Sequence, residues 1–191
     1  MSRVDPSTPS KIIDWADLSS IPYGDIPEFW AGWLADRGSL TQRLVDASNY
    51  QFSVNVLSQL EMIPNHAENK VLNVGASEPA LIRQVILSGQ ETPWVFARSI
   101  MPLSTLKGRL AALRNINNKP LGAILFNDPS MTRSIVQVTH TTADTLEVPN
   151  HICNSNTLLW GRRSVFFLDQ KPLLVSEIFL PTFKPYNQDA V

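Results

Sequence analysis

The fold class that the sequence predicts is α+β, built on one antiparallel β-sheet. Runs of alternating apolar residues are separated by connections of hairpin length, which is typical of antiparallel strands. Helical patterns are grouped near the start and in the middle of the chain and do not alternate with the strands. The 191 residues, 43% hydrophobic and 17% charged, are enough for one domain with its own core. We expect that domain over residues 26–191, after a flexible arm of residues 1–25 that is rich in proline and serine.

Short helices are predicted at the start and in the middle of the chain. The first begins near Pro27 and ends by Gly38, because its aromatic residues recur at helical spacing. Ser39 is expected to cap the start of the second helix, and a glutamine follows three residues later, as in a capping box. Two more helices are expected over residues 105–114 and 119–126, where they would cover the sheet.

Alternation with a period of two predicts the strands of the first half. Apolar side chains occupy every second position from Phe52 to Val56. Residues 62–78 show no regular pattern. Two stronger strands, over residues 80–87 and 94–100, are separated by the turn-rich segment SGQETP, which predicts a hairpin.

The second half of the chain adds three predicted strands and a long connection. A strand over residues 131–139 is followed by the polar segment 141–157, whose composition indicates a surface loop or insertion. Residues 158–168 and 172–180 then form the clearest hairpin of the chain, joined by the short connection DQK.

Two arginines interrupt apolar strand faces in the first predicted hairpin. Arg83 shares a face with leucine and valine, and Arg98 shares one with tryptophan and phenylalanine. If residue 87 pairs with residue 94, Arg83 lies opposite Arg98, which is unfavourable unless an anion lies between them. The planar guanidinium matches a carboxylate, so this pair predicts a receptor for a carboxylated ligand.

An acidic residue occupies the corresponding position in the last hairpin. Glu177 lies among apolar residues of its strand face. A three-residue connection places Arg163 opposite it, and a two-residue connection places Arg162 there. Glu177 then serves as a tuned acid or hydrogen-bond acceptor, or forms a purely structural buried pair. Ionisable groups on several apolar faces are costly to bury, which favours a ligand site.

Other chemical signals are weak. The three histidines are scattered, and His151 with Cys153 forms only an H-x-C fragment in a predicted loop, so no metal site is expected. The sequence has no Gly-rich phosphate loop and no paired Cys-x-x-Cys. A net charge of −1 and the absence of any run near ~20 apolar residues argue against nucleic-acid partners and a membrane span. A single cysteine and a start without an apolar leader favour a cytoplasmic protein.

These residues lie in blocks that resemble the chorismate pyruvate-lyase family of ubiquinone biosynthesis. The most specific are LWGRRS and KPLLVSEIFLP, in which an Arg-Arg strand is followed by a strand containing an acid. The matching blocks span most of residues 28–185 in the order of the family. The other blocks are SLTQRL, LIRQVIL, PWVFARSIMPLSTL and KPLGAILF.

The resemblance implies a fold and a reaction. The fold is a single antiparallel sheet with helices packed on one side and helical flaps over a buried ligand site. The reaction removes pyruvate from chorismate and leaves 4-hydroxybenzoate, without a metal or an organic cofactor. The segment 141–157 and the N-terminal arm are longer than the family pattern, which leaves their role open.

The resemblance also implies roles for individual residues. Arg83 matches the arginine that holds the carboxylate of the aromatic acid, and Leu121 matches a backbone amide donor to the same group. Glu177 matches the acid near the ring hydroxyl, and Leu40 matches a residue whose backbone approaches that hydroxyl. Arg83 and Glu177 are thus the expected catalytic residues.

Arg98 and Arg163 are expected helpers that neutralise substrate charge. The substrate chorismate and the product 4-hydroxybenzoate are the only partners expected of a monomer. Two alternatives stay open from the sequence. One is a non-catalytic sensor of small aromatic acids with a related sheet fold, and the other is an interaction protein that uses a sheet edge.

Overall fold

The computed structural model describes residues 14–22 and 24–185. Within these ranges the chain forms one antiparallel sheet with α-helices packed on it, which confirms the predicted α+β class. The strands are β1 (Ala16–Asp17), β2 (Phe52–Met62), β3 (Ala80–Gly89), β4 (Thr92–Pro102), β5 (Thr132–Arg133), β6 (Gln137–Thr142), β7 (Leu158–Leu168) and β8 (Lys171–Phe179). The α-helices are α1 (Glu28–Leu34), α2 (Leu40–Ala47), α3 (His66–Leu72) and α4 (Leu121–Phe126), and 3-10 helices span Leu18–Ser20 and Gly108–Asn115.

The order of the strands across the sheet is β1-β6-β7-β8-β4-β3-β2, and β5 also pairs with β7. Strands β5 and β6 follow one another along the same edge of β7, so the strand predicted over residues 131–139 is two short strands. Hairpins join β3 to β4 and β7 to β8, as predicted. Because β4 pairs with β8, the two hairpins lie side by side at the centre of the sheet.

The β7–β8 hairpin turns through Asp169 and Gln170, whose φ angles are 49° and 62°. Positive φ at both central positions is typical of a type I′ turn, which fits the twist of the paired strands. Of the two registers open from the sequence, the two-residue connection is the one observed, and Arg162 pairs with Glu177. Arg163 therefore lies on the other face of the sheet, since neighbouring strand residues alternate.

A β-bulge in the β3–β4 hairpin changes the register of its two arginines. The pairing shifts by one residue at Trp94. The Trp94 ring lies over Gly89, where an added Cβ would be 2.4 Å from the ring. Beyond the bulge Arg83 pairs with Ser99 and not with Arg98. The predicted opposition of Arg83 and Arg98 is therefore wrong, and these two side chains lie on opposite faces of the sheet.

The face of the sheet that carries Arg83, Glu177 and Arg162 is termed the first face. Helices α1 and α2 pack on one half of it and α4 with the second 3-10 helix on the other half. Two rows of paired residues cross this face between the helices. They are Arg83–Ser99–Val175–Ser164 and Val85–Ala97–Glu177–Arg162.

The helices of the first face lie where the sequence predicts them. Ser39 Oγ accepts a hydrogen bond from the Gln42 backbone N–H at 3.3 Å, which confirms the predicted cap of α2. The segment expected to be helical over residues 105–114 is a 3-10 helix, with its leucines buried in the core as predicted. Helix α4 lies within the predicted range 119–126.

The opposite face, termed the second face, carries a helix that the periodicity did not predict. Residues 62–78, which have no regular apolar pattern, contain α3. Asn65 and Glu68 form a capping box at its start, with hydrogen bonds of 2.9 and 3.0 Å. The spacing Asn-x-x-Glu was the signal that could have found it. One helix thus lies on the side opposite to the others.

Residues 141–157, predicted as a polar surface loop, also cover the second face. The chain turns repeatedly here, and four of its residues are buried against Phe96 and Ile178 of the sheet. They are Ala143, Leu146, Val148 and Cys153. The sequence did not predict this small core, because apolar residues that are spaced without a period in a polar segment give no strand or helix signal.

Part of the predicted N-terminal arm lies along the sheet. Ala16 pairs with Val138 and Asp17 with Gln137, so β1 adds an edge strand to β6. Residues 1–13 and 23 lie outside the described residues. The domain boundary at residue 25 stays a prediction.

Candidate active site

Arg83 is a buried guanidinium on β3 without a counter-ion among the described residues. Its relative exposure is 2%. The Nη2 atom donates to the carbonyl oxygens of Asn117 at 2.8 Å and Lys119 at 3.2 Å, whereas Nε has no hydrogen-bond partner. Burial lowers the pKa of this side chain because no nearby acid offsets the loss of water. An acceptor with negative charge at Nε would satisfy both the charge and the unpaired donor.

The two carbonyl groups that hold Arg83 lie just before helix α4. Lys119 is followed by Pro120, which is the N-cap of α4 and provides no side-chain cap. Leu121, the first helical residue, has one of the backbone N–H groups that a helix start leaves without an intrahelical partner. The structure therefore brings Arg83 and the start of α4 to the same end of the first face, as the resemblance implies.

Arg162 joins the acid of the site to helix α1. It is 1% exposed, and its Nε donates to Glu177 Oε2 at 2.7 Å. Its Nη1 donates to the carbonyl oxygens of Trp33 at 2.8 Å and Asp36 at 2.9 Å, at the C-terminal end of α1. One buried guanidinium thus orients the carboxylate and supplies donors to a helix end that has free carbonyl groups.

Glu177 lines a small pocket between α2, α4 and the sheet. The pocket has a volume of about 20 Å³, which is roughly the space of one water molecule. Leu40 and Gly122 line it from the starts of α2 and α4, so the structure brings Leu40 and Glu177 together as predicted. The other lining residues are Gly38, Leu125, Phe126, Arg133, Arg162, Phe166 and Val175.

Small side chains separate Arg83 from Glu177 on the first face. The two residues lie in adjacent rows, two positions apart along the strands and two strands apart across the sheet. Two strand spacings of ~4.8 Å and a rise of ~6.8 Å place their backbones about 12 Å apart. Ser99, Ala97 and Val175 lie between them. The side chains that separate the two ionisable groups on the sheet are therefore short.

Arg133 is a site residue that the sequence reasoning missed. It belongs to the two-residue strand β5 and lines the same pocket as Glu177. Burial lowers its pKa to about 10. The signal available in the sequence was one arginine in a predicted strand, and a two-residue strand is too short for alternation to assign its face.

Arg98 and Arg163, the predicted helpers, lie on the second face. Arg98 donates to Glu68 of α3 at 2.8 Å, and Glu147 is 3.8 Å from it. Arg163 donates to Gln137 at 2.9 Å and stacks over the Trp15 ring at 4.6 Å. The sheet separates both from Arg83 and Glu177, so the structure does not bring these two arginines together with the other predicted site residues.

Across residues 14–22 and 24–185, no three side chains of His, Cys, Asp or Glu are grouped as they would be around a metal ion. Within the same ranges, no helix has the length and apolar character needed to cross a bilayer.

The fold and the site together define a single-sheet α+β protein with an enclosed, arginine-lined pocket between its helices and one sheet face. Residues 17–191 match the family model described as chorismate lyase. The chain therefore belongs to the chorismate lyase family, as its sequence blocks indicate.

Relatives in this family cover nearly the whole chain. A probable chorismate pyruvate-lyase of Aromatoleum aromaticum is 36% identical over 173 residues, which are 86% of this chain and 91% of the relative. The chorismate pyruvate-lyase of Pectobacterium atrosepticum is 35% identical over 182 residues, which are 95% of this chain and 92% of the relative.

Solved structures with the same fold come from a different group of proteins. The effector domain of PhnF from Mycobacterium smegmatis has a TM-score of 0.54 at 13% identity, and covers 75% of this chain and 89% of that domain. A GntR-family transcriptional regulator from Bacillus cereus also has a TM-score of 0.54, at 12% identity over 74% of this chain and 99% of the regulator. Identities this low show the common fold alone.

Proposed function

We propose that this chain is a chorismate pyruvate-lyase, which converts chorismate to 4-hydroxybenzoate and pyruvate and so supplies the ring precursor of ubiquinone. Family membership and relatives of nearly equal length support the proposal. The observation that carries the site assignment is the buried Nε of Arg83, which has no acceptor among the described residues. The ring carboxylate of chorismate has the negative charge and the planar geometry needed to accept a hydrogen bond from this donor.

Arg83 and the start of α4 form the carboxylate end of the proposed site. The guanidinium is held in place by the carbonyl groups of Asn117 and Lys119, so little side-chain freedom is lost when the carboxylate binds. The Leu121 N–H is the proposed second donor to the same carboxylate, because it lies two residues after Lys119.

Glu177 and the start of α2 form the opposite end. The ring hydroxyl, which is para to the carboxylate, is proposed to donate to the Glu177 carboxylate, and the Leu40 backbone to approach the same oxygen. Arg162 fixes the orientation of Glu177 through the 2.7 Å hydrogen bond. The ring then spans the floor of small residues between Arg83 and Glu177.

The reaction depends on orienting the substrate and excluding water more than on a strong acid or base. The ether C–O bond breaks, and its electron pair leaves with the enolpyruvate. The neighbouring ring carbon, which carries the hydroxyl, loses a proton, and the ring becomes aromatic. The enolpyruvate takes up a proton to become pyruvate, so atoms and charge balance. Glu177 is placed to orient the hydroxyl and to stabilise or protonate the departing ether region.

Helices α2 and α4 act as the covers of this site. The pocket at Glu177 is far smaller than a substituted benzene ring, so α2 and α4 must separate to admit substrate and release product. Closure over the bound ring excludes water from the enolpyruvate and strengthens the contacts of Arg83 and Glu177.

A direct assay tests the proposed activity. Purified protein is incubated with chorismate, 4-hydroxybenzoate is followed by ultraviolet absorbance, and pyruvate is followed by a coupled dehydrogenase. Equimolar formation of both products is expected. Binding of chorismate or 4-hydroxybenzoate without turnover would instead favour a sensor of aromatic acids. The GntR-family regulator from Bacillus cereus, a regulatory protein, has the same fold as this chain.

The location and the oligomeric state belong to the same proposal. The reaction is assigned to the cytoplasm, and the chain is assigned as a monomer because one chain supplies every proposed contact to the substrate. Light scattering of the purified chain at micromolar concentration tests the second assignment, and a dimer mass would contradict it.

A further inference from the structure

We propose that Arg133 binds the carboxylate of the enolpyruvyl side chain and so selects a dicarboxylate substrate over its monocarboxylate product. The inference rests on the proposed function, because chorismate has two carboxylates and 4-hydroxybenzoate has one. Arg83 accounts for the carboxylate that stays on the ring. The carboxylate that leaves with pyruvate needs a second cation on the first face, near Glu177.

Arg133 reaches the first face from the edge of the sheet. It pairs with Phe166 across β5 and β7, and its guanidinium carbon lies 4.9 Å from the centre of the Phe166 ring. Its Nε donates to Ser164 Oγ at 3.0 Å and its Nη1 to the Arg37 carbonyl at 3.1 Å. These contacts aim the side chain into the pocket that Glu177 lines.

The charges at this end of the pocket leave an excess of positive charge. Arg162 and Glu177 form an ion pair at 2.7 Å and offset one another. Arg133 forms no salt bridge with an acid of residues 14–22 or 24–185. The hydrogen bonds of its guanidinium to a hydroxyl and a carbonyl satisfy two donors but supply no negative charge. A carboxylate bound here would supply that charge in a site with little water.

Arg83 and Arg133, which form no salt bridge with a described acid, are separated by a distance that suits a substituted ring. The row Arg83–Ser99–Val175–Ser164 crosses the first face, and Arg133 lies one strand beyond β7, opposite Phe166, which is two residues from Ser164. Four strand spacings of ~4.8 Å and an offset of ~6.8 Å along the strand place the two arginine backbones about 20 Å apart. Two long side chains that reach inward from this distance leave between them the width of a ring with its ether substituent.

This arrangement predicts when Arg133 contributes binding energy. Before cleavage it holds the enolpyruvyl carboxylate, and during cleavage it stabilises the negative charge that develops on the departing enolpyruvate. After pyruvate has left, 4-hydroxybenzoate retains its contacts with Arg83 and Glu177 and has none with Arg133. Arg133 therefore lowers the energy of substrate and transition state but not that of the bound aromatic product.

The variant Arg133→Met tests this separation, with Arg163→Met as a matched control. Arg163 is also partly buried, its pKa is also lowered to about 10 by burial, and it lies on the second face. We measure kcat/KM for chorismate and the Kd of 4-hydroxybenzoate by calorimetry for both variants. Arg133→Met is expected to lower kcat/KM by about ten- to a hundredfold, as the loss of a charged hydrogen bond predicts. Its Kd for 4-hydroxybenzoate is expected to stay within about twofold of that of the unsubstituted protein, and Arg163→Met to change neither value by more than that.

Two results would overturn the inference. One is unchanged kcat/KM in Arg133→Met, and the other is an equal loss of 4-hydroxybenzoate affinity, which indicates a merely structural role. Arg133→Lys keeps the positive charge but lacks the forked guanidinium, so it is expected to recover part of the lost kcat/KM. Such a recovery would show that the loss in Arg133→Met does not come from misfolding. If the unsubstituted protein does not turn over chorismate, the proposed function fails. The ratio of chorismate to 4-hydroxybenzoate affinity in the two proteins then still decides the role of Arg133.

Discussion

Arg162 and Glu177 pair directly across β7 and β8, and a 2.7 Å hydrogen bond from Nε to Oε2 joins them. The same guanidinium donates to the carbonyl groups of Trp33 and Asp36 at the end of α1. The acid of the site and the turn between α1 and α2 are therefore held by one side chain. Loss of this side chain should change both the orientation of Glu177 and the position of Leu40 at the start of α2.

Substituting Glu177 with glutamine should abolish most of the turnover. Glutamine keeps the size of the side chain but cannot act as an acid or a base, and it weakens the hold of Arg162. We expect kcat to fall by at least about a hundredfold. Steady-state kinetics with chorismate measures the effect.

The matched control for this variant is Glu68→Gln on the second face. Glu68 also pairs with a partly buried arginine, Arg98, at 2.8 Å. Its substitution should lower the melting temperature and leave kcat within about twofold. A similar loss of kcat in both variants would show that the loss follows from damage to the fold and not from the chemistry of Glu177.

Removing only one partner of the buried pair should destabilise the protein. Arg162→Met leaves Glu177 without its cation and two carbonyl groups without donors, which costs about 3–5 kcal/mol. The double variant Arg162→Met/Glu177→Leu should recover much of this stability, because no charge stays buried and unpaired. Urea unfolding measures both. A double variant no more stable than Arg162→Met would contradict the pairing, and it should be inactive in either case.

A methyl group at Gly122 should disturb the contact between α2 and α4. A Cβ at this position would lie 2.7 Å from Thr41 Oγ1, which is closer than a van der Waals contact. Gly122→Ala should therefore displace α2 and raise the Kd of 4-hydroxybenzoate by about tenfold, although alanine favours the helix. Thr41→Ala removes the clashing atom, so the double variant should regain most of the affinity. Equal affinities of the single and double variants would count against a tight α2–α4 closure.

The ion-pair cluster at Arg109 should give part of the stability a dependence on acid pH. Arg109 Nε donates to Asp169 at 2.7 Å and its other nitrogens to Asp128, and these bonds lower the pKa of both carboxyl groups. A lowered pKa stabilises the fold above the unfolded value of about 4, and the contribution is lost as the pH falls through the folded value. The melting-temperature difference between the unsubstituted protein and Arg109→Ala should thus be present at neutral pH and shrink below about pH 4. Lys107→Ala, which removes a nearby exposed charge, is the control, and a difference that is constant with pH would refute the assignment.

Much of the fold follows from local patterns in the sequence. The hairpins, the cap at Ser39, the burial of Arg83 and the partial burial of Glu177 depend on spacing within one or two neighbouring elements, which a sequence displays directly. The register of β3 and β4 does not, since it depends on the bulge at Trp94. The Trp94 ring can lie where it does because Gly89 has no side chain. One extra residue was enough to move Arg98 to the other face.

The site is predictable only in part for a similar reason. The sequence identifies Arg83 and Glu177 because each interrupts a long apolar face. Arg133 belongs to a two-residue strand without a pattern, and it reaches the site only through pairing with β7. The bonds from Arg162 to the end of α1 join residues more than a hundred positions apart, which no local pattern encodes. Long-range contacts of this kind require the folded chain.

The most direct test of the account compares Arg83→Met with Arg98→Met in the conversion of chorismate to 4-hydroxybenzoate. Both are partly or fully buried strand arginines from the same hairpin, but only Arg83 lies on the first face with an unpaired donor. We predict that Arg83→Met loses about a hundredfold or more in kcat/KM and binds 4-hydroxybenzoate weakly. Arg98→Met should keep its turnover at temperatures where it is folded. Normal turnover in Arg83→Met, or an equal loss in both, would contradict the placement of the site on the first face of the sheet.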